Sequence, residues 1–243
     1  MYNSKKVSVI FPAYNEEENI APAIEDFFAT GIVDEIVVVD NNSSDRTAEE
    51  VLATKARLVK ERRQGYGYAL QRGLKEATGE LVIMSEPDGT FSGKDVFKLL
   101  SYSEDFEFVL GTRTTKEMIW EDANMDYFLR FGNIFVAKLL EVLFDGPSLS
   151  DCGCTMRLIR RGALNKVINS LTVGRSHFLP EMVILALLNK IPVIEIPVNY
   201  RKRIGVSKIT GSFRKAFFTG VNMIALILKY RLKSFFKRSF HAK

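Results

Sequence analysis

The stretch Glu35-Ile-Val-Val-Val-Asp40-Asn-Asn-Ser-Ser-Asp45 decides the fold class. Ile36–Val39 is apolar without alternation, so both faces of this strand need cover, as in the centre of a parallel sheet. The polar run that follows it is turn chemistry. Working outward, Val7-Ser-Val-Ile-Phe11 reads as a strand, and Ile20, Ile24, Phe27 and Phe28 recur at helical spacing, with Pro22 tolerated in a first turn. Thr47–Ala53 reads as helix and Arg57–Lys60 as a short strand. Gly67–Ala77 reads as helix, with Gly79 as its C′ residue. Glu80–Met84 and Phe106–Leu110 read as further strands. Strand and helix alternating to about residue 110 predict a parallel α/β sheet. Asp122–Phe144, Phe178–Asn189 and the segment from Ser212 onward read as helices, and Val193–Val198 as a strand.

In such sheets ligands sit at the carboxyl ends of strands. The polar stretches fall there: Pro12-Ala-Tyr-Asn-Glu16, Asp40–Asp45, Ser85-Glu-Pro-Asp-Gly89 and Gly111-Thr-Arg113. Glu86 and Asp88, two residues apart on an extended strand end, point to the same side. Two such oxygen ligands suit Mg²⁺ or Mn²⁺ with substrate phosphates completing the shell; the plain alternative is a solvated acidic loop. Asp40 can accept hydrogen bonds from a base or ribose, or simply cap its turn. Tyr14 can stack on a base, or serve as a partly buried core tyrosine.

The 243 residues carry 34 Lys+Arg and 29 Asp+Glu, 47% hydrophobic, an ordinary globular balance that excludes a disordered chain, a collagen-like fibre and a disulfide scaffold. The charge is uneven. Residues 201–243 hold 12 Lys/Arg and no Asp/Glu, whereas residues 1–200 hold 22 basic and 29 acidic groups. A basic tail on an acidic body suits an anionic surface. Cys152 and Cys154 are the two cysteines, which favours a reducing compartment and small packing residues over a staple or zinc site. No signal peptide is expected at the N-terminus, and Val221–Leu228 falls far short of the ~20 apolar residues of a membrane span.

Five segments in order carry a family resemblance: Val9-Ile-Phe-Pro-Ala-Tyr-Asn-Glu-Glu-Glu-Asn-Ile20, Glu35–Thr47, Gly65-Tyr-Gly-Tyr-Ala69 with Gly73, Ala77-Thr-Gly-Glu80, and Ile194–Lys208. The chain resembles the family 2 inverting glycosyltransferases, most of all the branch of dolichol-phosphate mannose synthase and the bacterial polyprenyl-phosphate glycosyltransferases. The resemblance covers residues ~5–210. It implies a GT-A fold, a Rossmann-like, mostly parallel sheet flanked by helices, for residues 1–210; the residue pattern at 211–243 reads as a basic amphipathic helical tail. It implies that Pro12, Tyr14, Glu16 and Asp40 hold the nucleoside of a nucleotide-sugar donor. Glu86 and Asp88 would stand at the family's DxD metal motif, with Glu in place of the first Asp, and bind Mg²⁺ or Mn²⁺. By motif position, Arg113, Arg130, Arg203, Ser207 and Lys208 serve the diphosphate. Arg203-Ile-Gly-Val-Ser-Lys208 resembles the family's segment that closes over it; without the resemblance it reads as a basic surface loop.

On the acceptor side, Ser150–Arg160 resembles a family motif in which Asp151 stands near the nucleophile. A hydroxyl acceptor needs a base there, whereas a lipid phosphate is already ionised and Asp151 would orient a cation or water. Glu181 is the corresponding acidic candidate, with a first-turn helix-dipole role as its rival. Asp88, Asp151 and Glu181 are thus the catalytic candidates. In the tail, Phe213, Phe217, Val221, Ile224, Leu228, Leu232 and Phe235 recur every three or four residues among Lys and Arg. This fits a helix in a membrane interface or, alternatively, one packed on the domain with a solvated basic face. Nucleic acid is not expected, because the body is acidic and carries no such motif.

The expected activity is metal-dependent, inverting transfer of a sugar from a nucleotide donor to a polyprenyl or dolichyl phosphate, by an enzyme peripheral to the cytoplasmic membrane face. The rival readings are a soluble or glycan acceptor and a silent nucleotide-binding module.

Overall fold

The computed structural model describes residues 1–120, 127–204 and 213–241. Its strands are β1 (Val7–Ala13), β2 (Glu35–Asp40), β3 (Arg57–Lys60), β4 (Leu81–Met84), β5 (Phe108–Thr112), β6 (Arg157–Arg160) and β7 (Val193–Pro197). Its helices are α1 (Ile20–Phe28), α2 (Thr47–Leu52), α3 (Tyr66–Glu76), α4 (Asp95–Tyr102), α5 (Tyr127–Phe144), α6 (Arg161–Val167), α7 (Phe178–Leu188) and α8 (Phe213–His241). The seven strands form one sheet in the order β3-β2-β1-β4-β6-β5-β7.

The apolar β2 is an interior strand covered on both faces, as its pattern requires, one in from the edge strand β3. It lies between β1 and β3, parallel to both, with Ile10 beside Val37 and Val39 beside Val59. Val37 and Val39 face a core built with Leu70 and Leu74 of α3 and Met182 of α7. Ile36 and Val38 face the other core, with Ile20, Ile24 and Phe27 of α1. Each fully buried side chain of this size contributes about 1.5–3 kcal/mol of transfer free energy.

The parallel reading holds for β1–β4, and β5 pairs parallel to β7. β6 runs antiparallel to both β4 and β5 and joins the two blocks. The sequence reading did not find β6, because Arg157-Leu-Ile-Arg160 begins and ends on arginine. Arg157 is nevertheless wholly buried, and its guanidinium donates to the Cys152, Cys154 and Leu179 carbonyls. Helices α4 and α6 were also not read.

Gly79 does not act as a C′ residue. α3 ends at Glu76 and is capped at Ala77. A Cβ on Gly79 would lie 2.6 Å from Ser8 Oγ and 2.7 Å from the Lys6 carbonyl, so the residue is small because β1 passes against it.

α8 is present but presents its faces differently from a simple packed amphipath. Leu226 and Ile227 are buried, and Met223 and Tyr230 pack with them against the core shared with α5 and α7. Of the stripe read from the sequence, Ile224 packs against the core and the Phe213 side chain lies outside the described residues, whereas Phe217, Val221, Leu228, Leu232 and Phe235 are 44–63% exposed. At about 100° per residue they fall within roughly 60° of one another.

Candidate active site

Strand order places the amino-terminal motifs side by side. β1 lies between β2 and β4, so the carboxyl ends of all three open on one side. The loops after β1 and β2 are stitched together there. Ser44 N donates to Asn15 Oδ1 at 2.8 Å, Glu16 N to Thr47 Oγ1 at 2.8 Å, and Glu17 N to Asp45 Oδ2 at 3.1 Å. The turns need left-handed backbone at Asn15 (φ 53°) and Asn42 (φ 63°), which asparagine tolerates.

A cleft of about 200 Å³ results, and Pro12, Tyr14, Glu16, Glu86, Asp88 and Arg203 all line it. Six of the residues expected at a donor site are therefore together. Tyr14 keeps 40% of its surface exposed at the cleft. Asp40 sits beside it with a turn role: its Oδ1 accepts from Ser43 N at 2.9 Å. The neighbouring Asn41 lines the cleft and organises its far wall. Asn41 Nδ2 donates to the Glu61 and Arg63 carbonyls, each at 2.8 Å, and its Oδ1 accepts from Gly65 N at 2.7 Å.

Glu86 and Asp88 converge. Glu86 Oε1 accepts from Tyr66 Oη at 3.0 Å and from Thr155 Oγ1 at 2.7 Å. Asp88 Oδ1 accepts from Thr90 N at 3.0 Å and Thr90 Oγ1 at 2.5 Å. The Nη2 of Arg203 lies 2.8 Å from Glu86 Oε2 and 2.5 Å from Asp88 Oδ2. Despite that short approach, the buried Asp88 Oδ2 has no hydrogen bond of adequate geometry. Burial, and then the adjacent Glu86 carboxylate, push Asp88 up to about 7. Burial also opposes charge on Glu86, but Arg203 and its hydrogen bonds outweigh it and hold that carboxyl below its ordinary value. Two acidic groups at one spot, one with a buried oxygen that has an ion pair but no hydrogen bond, fit a divalent cation, and Glu86 and Asp88 are the residues that would hold it. Among the described residues no cluster of three or more His, Cys, Asp or Glu side chains is poised for a metal, so a shell here needs oxygens from a ligand or water.

The Ser150–Arg160 segment, expected on the acceptor side, touches the cleft through Thr155. Asp151 is fully buried. It accepts from Arg113 Nε at 2.7 Å, Arg113 Nη2 at 3.0 Å and Gly153 N at 3.1 Å. Burial disfavours the Arg113 charge, yet Asp151 outweighs it and raises the guanidinium well above its usual value. Asp151 thus holds a cation, and its chain is fixed by Glu195, which accepts from Ser150 N, Ser150 Oγ and Asp151 N. Cys152 and Cys154 are buried free thiols, packed as small residues.

Glu181 is not brought to the cleft. It is fully buried and accepts from Thr172 N at 3.0 Å, Thr172 Oγ1 at 2.7 Å, Val173 N at 2.8 Å and Tyr230 Oη at 2.8 Å. Those donors satisfy its lone pairs and tie α8 to the body, so the expected acceptor-facing role has no geometric support. Arg130 is half-buried on α5 and does not line the cleft. Ser207 and Lys208 lie outside the described residues. Tyr66, Thr155 and Asn41 were missed as site residues. Tyr66 and Thr155 stand inside motifs quoted from the sequence, but nothing in spacing shows that both meet Glu86.

Comparison with known proteins decides the family: Glycosyl transferase family 2 matches residues 8–168. The chain belongs to glycosyltransferase family 2. This glycosyltransferase is 29% identical to the dolichyl-phosphate hexose transferase of Haloferax volcanii over 96% of this chain and 98% of that one. It is 28% identical to the dolichyl-phosphate beta-glucosyltransferase of Homo sapiens over 95% of this chain and 76% of that one. In fold it matches the glucosyl-3-phosphoglycerate synthase of Mycobacterium tuberculosis, solved with Mn²⁺ and uridine diphosphate. The TM-score is 0.73 at 19% identity, over 93% of this chain and 80% of that one. The glycosyltransferase therefore has the GT-A architecture. No helix among its described residues is long and apolar enough to cross a membrane.

Proposed function

We propose that this glycosyltransferase moves a hexose from a nucleoside diphosphate sugar to a polyprenyl or dolichyl phosphate, with inversion, at the cytoplasmic membrane face. The observation that carries the reading is the convergence of Glu86, Asp88 and Arg203 on the cleft lined by Pro12, Tyr14 and Glu16. Dolichyl phosphate in the names of two relatives aligned over nearly the whole chain supports the acceptor class.

In this reading Tyr14 and Pro12 bound the base and ribose. Glu86 and Asp88 would hold a Mg²⁺ or Mn²⁺ ion, which would supply positive charge to the leaving diphosphate. Tyr66 and Thr155 aim Glu86, and Thr90 aims Asp88. Arg203, with Ser207 and Lys208 after it, adds charge-assisted hydrogen bonds to the diphosphate. An ionised phosphate oxygen of the acceptor bonds to the anomeric carbon on the face opposite the departing diphosphate. The carbon–oxygen bond to the donor breaks with its electron pair on the diphosphate, and no protein base is required. Asp151 then has the task of holding Arg113 rather than removing a proton.

The segment 211–243 supplies the membrane contact. Exposed Phe217, Phe218, Leu232, Phe235 and Phe236 share α8 with exposed Arg214, Lys229, Arg231 and Lys233 and with no acidic residue. Apolar side chains beside cations suit an anionic leaflet, where each basic residue adds roughly 1 kcal/mol. On α5, Phe131, Phe135 and Val142 are also more than half exposed.

The test is transfer of radiolabelled hexose from UDP- and GDP-sugars to dolichyl phosphate, undecaprenyl phosphate and water-soluble phosphorylated acceptors. Label entering the chloroform phase only with a lipid phosphate supports the proposal. Label entering only the soluble acceptors overturns it.

A further inference from the structure

Arg203 stands between the two carboxylates, not merely beside them. One nitrogen, Nη2, contacts Glu86 Oε2 at 2.8 Å and Asp88 Oδ2 at 2.5 Å. A divalent ion bound by these oxygens at about 2.0–2.6 Å requires the same space. The backbone around Arg203 is fastened. Arg201 N donates to the Thr90 carbonyl and Ile204 N to the Asp88 carbonyl, each at 2.9 Å. The Ile204 Cδ1 lies 3.1 Å from where a Cβ on Gly89 would stand. Gly89 has a φ of +78°, which turns the chain back beneath that contact. With both sides anchored, the guanidinium can leave the carboxylates only by a side-chain movement.

We infer that Arg203 occupies the cation position of the free enzyme, so that the divalent ion is taken up together with the donor diphosphate and not before it. The inference rests on the proposed role of Glu86 and Asp88. The exchange puts two positive charges where Arg203 had one, and the diphosphate compensates the displaced guanidinium. An arginine removed from two carboxylates needs another anion, and a diphosphate offers its planar fork a bidentate partner. The vacated carboxylates then meet the incoming cation. Without the diphosphate the ion must displace a monocation already held at both oxygens. Arg203 thus sets the order of binding as well as contacting the donor.

Mn²⁺ binding, read by electron paramagnetic resonance of the free ion, tests this without turnover. It is measured on the full chain alone, with UDP, and with GDP, each nucleotide's own Mn²⁺ binding being subtracted. The expected result is Mn²⁺ affinity at least tenfold higher with one of the nucleotides than without. Arg203→Gln should bind Mn²⁺ alone at least tenfold more tightly than the wild type and lose most of the nucleotide dependence. Wild-type affinity that is equal with and without nucleotide overturns the inference while leaving the metal role intact, and needs no variant. Absence of Mn²⁺ binding in every arm overturns the inference and the proposed metal role together.

Discussion

Thr155 Oγ1 donates to Glu86 Oε1 at 2.7 Å, although the two residues lie 69 positions apart. The link couples the Ser150–Arg160 segment to the first of the two cleft carboxylates. Tyr66 reaches the same oxygen from the start of α3. Glu86, one methylene longer than an aspartate, is thereby held by two hydroxyls. Replacing either should leave the fold intact and loosen the carboxylate. Thr155→Val and Tyr66→Phe are each expected to lower Mn²⁺ affinity in the presence of nucleotide by about 10–100-fold, the usual cost of losing an outer partner of a metal ligand. Calorimetric titration with Mn²⁺ and UDP or GDP checks this. Unchanged affinity in both variants removes the positioning role.

Asp88→Asn keeps the shape and the Thr90 contact but removes a charge. Transfer to lipid phosphate is expected to fall about 10²–10³-fold, the scale of losing one electrostatic stabiliser. Circular dichroism should show an unchanged fold. Wild-type turnover in this variant would contradict the cation role.

Glu181→Ala should act on stability. It strands the buried Val173 amide, at about 1–3 kcal/mol for an unsatisfied buried donor, and also frees the Thr172 amide and the Tyr230 hydroxyl, which water can partly satisfy. Thermal denaturation should show a lower midpoint. Tyr230→Phe, which removes one donor and leaves the others paired, should cost less. A stable Glu181→Ala protein that lacks transfer would restore a direct role for the carboxylate.

Burial pushes the Cys152 and Cys154 thiols up to about 12, so both stay neutral across the physiological range. Iodoacetamide at pH 8 should leave both unlabelled in the native protein and alkylate both after denaturation. Rapid native labelling would mean that the Ser150–Thr155 loop opens.

The outward stripe of α8 should govern vesicle binding. Phe217→Ser with Phe235→Ser is expected to reduce sedimentation with vesicles containing phosphatidylserine while leaving the melting temperature near that of the wild type. Neither side chain belongs to the buried Leu226–Ile227 contact. Undiminished binding to these vesicles would exclude the helix as the contact.

The sequence by itself determined the local chemistry. Ile36–Val39 could be satisfied only by burial on both faces, and turn-forming residues after each apolar run marked the carboxyl ends of the strands. The same logic brought Pro12, Tyr14, Glu16, Glu86 and Asp88 to one edge, because parallel neighbours align their ends. Tertiary structure alone decided what lies across long separations. The antiparallel insertion of β6 carries Thr155 to Glu86, and the loop after β7 lays Arg203 across both carboxylates. Glu181 went to a buried anchor for α8 rather than to the cleft, and the α8 stripe faced outward because Met223, Leu226, Ile227 and Tyr230 took the packing. Side-chain period and turn propensity are set by neighbours a few residues away. Partners 50 to 120 positions apart are set by strand order and by competition for burial, which no local pattern encodes.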